Sequence, residues 1–208
     1  MDKFCNSKGF TIAELLVSMM LGLLILFSVY NIFTNQIRQF KTQSVGLEML
    51  QNARVGLDFI VRELRIAGYN PAGALPTCQG TNTATNTPCV GLTAIAGGSI
   101  SFTADLDGDG SLTPDDTNPD ENITYAVYAD GGVLCLGRTA NGSRQPVVEN
   151  ISALSFNYYD GSNQTTTNLA RIRKISVSLT ARASIPDVNK VYKTITFSSD
   201  VVPRNITD

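Results

Sequence analysis

The sequence of 208 residues contains no histidine and no tryptophan. Without histidine, the chain has no Ser-His or Cys-His pair for nucleophilic catalysis, and it lacks the commonest side-chain ligand of transition metals. No G-x-S-x-G motif and no phosphate-binding loop occurs either. These absences argue against catalysis, and we expect a protein that is not an enzyme.

The chain also lacks an excess of positive charge. It has 16 basic and 18 acidic residues, and no cluster of lysine or arginine stands out. A nucleic-acid-binding domain is recognised by a basic patch or stripe. We therefore expect no nucleic-acid partner.

Cysteine is scarce, and no C-x-x-C pair occurs among the four cysteines, which argues against a zinc site. Cys78 and Cys89 flank a loop rich in Thr and Asn, and in an exported domain this spacing favours a disulfide between them. Two free thiols, or a bridge from Cys135 to either partner, are the alternatives. Cys135 itself lies in an apolar run and is typical of a small buried hydrophobic residue.

Charge is absent from the nineteen residues between Leu15 and Phe33, and the acidic Glu14 lies at the edge of this run. About 20 apolar residues in a helix cross a bilayer. The run is too long for the core of a cleaved secretory signal, and no small-x-small cleavage site follows it. Lys3 and Lys8 precede it, so the N-terminus should stay in the cytoplasm and the rest should lie outside. An ordinary uncleaved signal anchor is one interpretation.

The stretch Gly9-Phe10-Thr11-Ile12-Ala13-Glu14-Leu15 resembles the processing site of type IV prepilins, a family that includes the pseudopilins of type II secretion. The resemblance implies that residues 1–9 are a leader, which the prepilin peptidase removes by cleavage between Gly9 and Phe10, and that Phe10 is then N-methylated. It also implies that Glu14, the fifth mature residue, pairs with the Phe10 amine of a neighbouring pilin. Many major pilins have proline where this chain has Asn31, which favours a minor subunit.

Residues 10–35 are predicted to form the membrane-spanning and filament-core helix, and residues 36–68 to continue it as an amphipathic half. No proline occurs before Pro71, and Gly68 is a suitable C-cap. Apolar and small residues recur at helical three- and four-residue steps and predict a stripe facing the head: Gly46, Leu50, Ala53, Leu57, Ile60, Leu64 and Ala67. Charged residues are predicted to lie on the other faces of the helix: Arg54, Asp58, Arg62, Glu63 and Arg65.

Residues 69–208 are predicted to form a globular head rich in β-structure. Residues 69–97 look like a loop because of their prolines and glycines. Beyond them, alternating patterns predict strands at 99–103, 122–128, 133–136, 151–158, 172–180 and 191–197, with a hairpin turn at Asp130-Gly131-Gly132. The fold class is therefore α+β, a long N-terminal helix packed on an antiparallel sheet.

Three segments of the head resemble minor pilins of the PilW type and the related J-type pseudopilins: residues 149–160, 172–175 and 201–205. The resemblance implies a structural minor pilin, anchored in the inner membrane with its head in the periplasm and later part of a pilus. A minor pseudopilin of type II secretion is the alternative. A further alternative is an adhesin or substrate-binding module at a filament tip, which would use the insertions at 70–97 and 104–121.

The segment 105–116 matches the calcium-loop pattern D-x-D-x-D-G with an acid at the twelfth position. The predicted Ca²⁺ ligands are Asp105, Asp107, Asp109, Ser111 through its carbonyl, Thr113 and Asp116. Asp116 replaces the usual glutamate, and its shorter side chain makes two-oxygen closure harder. A solvated turn of Asp and Gly is the alternative, although its five aspartates repel one another unless a cation neutralises them.

Overall fold

A computed structural model of the chain describes residues 9–78, 88–112, 120–140, 142–186 and 190–206. The chain divides into two compact units between Ser44 and Val45. Within these described residues, one long helix and eight strands in two antiparallel sheets give the α+β class that the sequence predicts.

Helix α1 covers Ile12–Ile66, within one or two residues of the predicted span. The helix is long and apolar enough to cross a membrane. Its most apolar 18-residue stretch lies near the N-terminus, and none of that stretch is buried. The helix ends where expected, because Gly68 adopts a positive φ of 80° and its N–H donates to Thr103 O at 2.9 Å. A Cβ at Gly68 would approach Asn205 O to 3.0 Å.

Within the unit that begins at Val45, one face of α1 is buried. Its buried residues are Met49, Ala53, Gly56, Leu57, Ile60, Val61 and Leu64. The predicted stripe is therefore right from Ala53 onward and wrong at Leu50, which is 39% exposed. Met49 is buried instead of Leu50. Met49 lies four residues before Ala53, so the two side chains are on the same face of the helix.

The first sheet is a five-stranded antiparallel meander in the order β1-β2-β3-β4-β5. Its strands are β1 Gly91–Ile95, β2 Ser99–Thr103, β3 Asn122–Asp130, β4 Val133–Ala140 and β5 Ser143–Glu149. Gly131 and Gly132 have φ of 54° and 87° between the paired residues Asp130 and Val133. This is the predicted two-residue hairpin, whose turn needs positive φ at both central residues.

The second sheet has the order β6-β7-β8, with β6 Ile151–Tyr159, β7 Lys174–Arg182 and β8 Thr194–Val201. A short 3₁₀ turn, Leu169–Arg171, precedes β7. The buried faces of both sheets and of α1 contribute to one apolar cluster, which includes Ile60, Phe102, Leu136 and Val177. The core of the head thus lies between the helix and two sheets, where the sequence indicated a single sheet.

Two strands were not anticipated. β1 lies in the segment interpreted as a loop, and β5 carries Pro146. Proline cannot donate a ladder hydrogen bond and is confined to edge strands and bulges. Both strands are at the edges of the first sheet, and the β4–β5 register is irregular next to Pro146.

Candidate functional site

The predicted processing residues lie at the start of the first unit. Gly9 and Phe10 are exposed ahead of α1, and the Phe10 side chain is 85% exposed. The large apolar residues that follow, from Leu15 to Phe33, are all more than half exposed. A helix with this surface requires lipid or other protein chains around it.

Glu14 and Thr11 form a reciprocal capping box at the beginning of α1. The Glu14 carboxylate accepts hydrogen bonds from Thr11 N at 2.9 Å and from Thr11 Oγ1 at 3.0 Å. In return, Thr11 Oγ1 accepts from Glu14 N at 3.2 Å. The arrangement satisfies backbone donors that a helix start leaves without partners. It gives the lone acid of this segment a role within its own chain.

The second site is the loop between β2 and β3. One carboxylate oxygen each from Asp105, Asp107 and Asp109 lies within 4.8 Å of the others. Asp105 is fully buried, whereas Asp107 and Asp109 are exposed. Asp105 N donates to Tyr69 O at 2.8 Å, which fixes the start of the loop against the chain that follows α1.

Backbone N–H groups of the loop fold back onto the same carboxylates. Asp105 Oδ1 accepts from Gly108 N at 2.7 Å, and its Oδ2 accepts from Gly110 N at 3.3 Å. Gly110 has a φ of 78°, and a Cβ there would lie 2.8 Å from the Cβ of Ala74. The glycine is therefore required by both the turn and the close packing.

The two exposed aspartates are oriented in the same way. Asp107 Oδ1 accepts from Asp109 N at 3.0 Å, and Asp109 Oδ1 accepts from Ser111 N at 2.7 Å. The structure thus brings three predicted calcium ligands together, with Ser111 next in the loop. Thr113 and Asp116, the other two predicted ligands, lie outside the described residues.

Glu121 forms the base of this loop and was not identified from the sequence. It is 1% exposed, and its Oε1 accepts from Leu106 N at 2.8 Å. Its Oε2 is buried without a hydrogen-bond partner. Burial, and then the negative charges of Asp107 and Asp105, raise the pKa of the Glu121 carboxyl above its usual value, against the opposing backbone hydrogen bonds from Leu106 and Asp107. No spacing rule indicates Glu121, since it lies beyond the twelve-residue motif.

A third polar cluster joins α1 to the first sheet, around Glu63. Its carboxylate accepts from the Tyr125 hydroxyl at 2.6 Å and from Arg138 Nε at 3.0 Å. Arg138 also pairs with Asp120 at 2.8 Å. The sequence assigns Glu63 to a face of the helix other than the apolar stripe. In the structure Glu63 is half-buried, and Tyr125 and Arg138 of the first sheet both bond its carboxylate.

The predicted disulfide is confirmed, since Cys78 and Cys89 are bonded to each other and both are buried. Cys135 is a free, buried thiol, which agrees with its assignment as a small apolar residue. Next to the disulfide, Cys78 N donates to Val90 O at 2.8 Å and Val90 N donates to Pro76 O at 2.9 Å. The bridge therefore connects two segments that are also joined by backbone hydrogen bonds.

Comparison of the chain with known protein families and with curated protein sequences finds no match.

Proposed function

We propose that this protein is a minor subunit of a filament of the type IV pilin class. On this proposal the chain is inserted in the inner membrane with its head in the periplasm. Prepilin peptidase removes residues 1–9, and the apolar part of α1 then enters the filament core beside the same segment of other pilins. We assign the subunit to a cell-surface pilus in preference to a secretion pseudopilus.

The observation that carries the proposal is the arrangement of the first part of α1. A prepilin-like leader ends at Gly9, α1 begins at Ile12, and one acid is present at Glu14. An exposed apolar surface follows without a charged residue as far as Phe33. Moving such a helix from lipid into a bundle of similar helices changes the polarity around it very little, and the charge on Glu14 is the costly exception.

The role proposed for Glu14 in the filament is an ion pair with the amine of Phe10 in a neighbouring subunit. Charges in a dry environment are stabilised only when they are paired. In the single chain, the same carboxylate caps the helix through Thr11. Assembly would therefore add or exchange a partner at a carboxylate that is already oriented at the helix start.

Mass spectrometry of the protein isolated from its membrane tests the proposal. We expect a chain that begins at Phe10 and carries one methyl group on the α-amine. A Gly9→Val variant should retain residues 1–9, whereas Gly22→Ala, a change to the glycine within the apolar segment, should be processed normally. A wild-type chain that keeps Met1 would contradict the assignment.

A minor pseudopilin of type II secretion would use the same N-terminal segment. The two assemblies are distinguished by deleting the gene and measuring surface pili and protein secretion in the same strain. Loss of pili with normal secretion supports the pilus assignment. Loss of secretion with normal pili replaces it with the pseudopilin.

A further inference from the structure

We propose that Asp105, Asp107 and Asp109 bind one Ca²⁺ ion, and that the buried carboxylate of Glu121 supports this site from the base of the loop. The proposal concerns the head alone and does not depend on the filament function.

The loop carries negative charge without a compensating basic side chain. Three carboxylates converge with one oxygen each within 4.8 Å, and unit charges at that separation repel one another strongly. Residues 69–137 contain eight acidic residues and no lysine or arginine. Within the described part of the chain, no basic side chain forms an ion pair with these carboxylates or with Glu121. A cation from solution would balance this charge.

Glu121, which is outside the twelve-residue loop motif, has an unsatisfied carboxylate oxygen. Glu121 is 1% exposed and its Oε2 has no hydrogen-bond partner. Buried polar atoms without partners are rare, and an ion bound nearby is one recognised reason for them. Its Oε1 is bonded to the N–H of Leu106, the residue between Asp105 and Asp107. The fourth carboxylate thus adjoins the ligand set and adds to its negative charge.

Glu121 acts as a positioning residue in this proposal. Its oxygens are not among those that converge within 4.8 Å. The hydrogen bond to Leu106 fixes the backbone between the first two ligands, and Ala104 N donates to Glu121 O at 3.0 Å. Glu121 therefore holds the loop from both its main chain and its side chain.

The chemistry of the donors selects calcium. All the converging groups are hard carboxylate oxygens, which suit Ca²⁺ and Mg²⁺ and not the metals that favour nitrogen or sulfur. Ca²⁺ accepts 6–8 oxygens in flexible geometry, whereas Mg²⁺ requires a near-ideal octahedron and keeps several waters. Carboxylates at alternate positions followed by the required Gly110 form the pattern of a calcium loop.

Isothermal titration calorimetry tests the proposal with the full chain in mild detergent, freed of metal by a chelator and titrated with CaCl₂ or MgCl₂. We expect one Ca²⁺ per chain with a dissociation constant on the order of 10⁻⁴–10⁻³ M, as in extracellular modules. Asp107→Asn keeps an oxygen that can accept from Asp109 N but removes one charge, so its affinity should fall by about tenfold or more. Glu121→Gln keeps an acceptor for Leu106 N and should weaken binding by a smaller factor.

Asp160→Asn is the matched control, because Asp160 Oδ1 accepts from Ser162 N and Gln164 N in a similar turn outside the acidic cluster. Its Ca²⁺ affinity should equal that of the wild type. A folded wild-type chain without saturable Ca²⁺ binding would overturn the site, as would undiminished binding by both Asp107→Asn and the independent variant Asp109→Asn. Equal affinities for Ca²⁺ and Mg²⁺ would overturn the assignment to calcium. If Glu121→Gln binds Ca²⁺ with wild-type affinity, Glu121 does not support the site.

Discussion

The hydroxyl of Tyr125 donates a 2.6 Å hydrogen bond to the Glu63 carboxylate, which joins β3 to α1 inside the head. Tyr125 is fully buried, and Glu63 also accepts from Arg138 at 3.0 Å. Burial, and then the hydrogen bond to Glu63, raise the pKa of the Tyr125 hydroxyl above its ordinary value. A charged acceptor in a largely dry contact makes this bond stronger than a neutral one.

Tyr125→Phe should therefore destabilise the head more than Tyr158→Phe. Tyr158 is also buried, but its hydroxyl donates to a neutral carbonyl, Ala96 O, at 3.1 Å. Hydrogen bonds to charged groups contribute about 1.5–3 kcal/mol and neutral ones about 1 kcal/mol. Urea unfolding of the fragment 36–208 measures both losses, since the apolar core lies between Met49 and Ile206. Equal losses would show that the Glu63 contact adds nothing.

The stability of the same fragment should decrease above about pH 10. Burial raises the pKa values of Tyr125 and Tyr158 in the folded head. An unfolded tyrosine loses its proton near its ordinary pKa while the folded one keeps it, so the unfolded state binds fewer protons and the free energy of unfolding falls as pH rises. The slope is about 1.4 kcal/mol per pH unit for each such group. Tyr125→Phe should reduce the slope between pH 10 and 11.5. An unchanged slope would contradict the prediction.

Gly56 is the point of close approach between α1 and both sheets. A Cβ there would lie 2.8 Å from Cδ2 of Leu179 in β7 and 3.1 Å from Cδ2 of Leu136 in β4. Overpacking costs about 1–3 kcal/mol, and the helix propensity of alanine returns about 1 kcal/mol. Gly56→Ala should therefore lower the free energy of unfolding of the fragment 36–208 by about 1 kcal/mol.

Gly46 on the same helix provides the opposite control, because no described atom outside the neighbouring helix backbone lies within 4 Å of its Cβ position. Gly46→Ala should raise the stability by about 0.5 kcal/mol through helix propensity alone. A stabilising Gly56→Ala would mean that the leucine side chains move aside at little cost.

The Cys78–Cys89 disulfide should contribute about 2–3 kcal/mol, because it closes a loop of roughly a dozen residues in the unfolded chain. Replacing both cysteines by serine should lower the thermal midpoint of the fragment. Reductant should lower the wild-type midpoint by a similar amount and leave the double variant unchanged. If reductant lowered the thermal midpoint of both proteins equally, its effect would not come from breaking the disulfide.

The sequence predicted the parts of the fold that depend on local pattern. The end of α1 at Gly68 and the Gly131-Gly132 hairpin follow from glycine chemistry, and both are present. The disulfide was favoured by spacing alone and is confirmed. The edge strand β5 was missed because Pro146 weakens its pattern and its pairing with β4 is a tertiary property.

The candidate sites also combine features that local pattern predicts with features that only tertiary contacts create. The D-x-D-x-D-G spacing anticipated that Asp105, Asp107 and Asp109 come together. Glu121 and Glu63 were missed as site residues because each acquires its partners from distant parts of the chain. Leu106 lies 15 residues from Glu121, and Tyr125 lies 62 residues from Glu63. A charged residue in an alternating or amphipathic pattern is ordinarily assigned to solvent, and only the folded structure identifies those that are buried with partners.

The last prediction separates the two roles of Glu14, which are helix capping and the proposed ion pair between subunits. Glutamine also serves in a capping box. Glu14→Gln should therefore keep the hydrogen bond from Thr11 N while it removes the charge. If the ion pair governs assembly, this variant should be depleted from filaments by about tenfold or more, because its amide cannot pair with the Phe10 amine. Immunoblots of sheared filaments and membranes, from cells with the matching assembly machinery, measure the ratio.

Thr11→Val is the complementary change, because it removes the hydroxyl that accepts from Glu14 N but retains the acid. Loss of such a cap costs a helix about 1 kcal/mol, which a long helix enclosed in lipid can tolerate. Incorporation of Thr11→Val at near wild-type levels, together with exclusion of Glu14→Gln, would assign the assembly role to the charge. The reverse pattern would assign Glu14 to capping alone, since the contact that matters would then be the one made within its own chain.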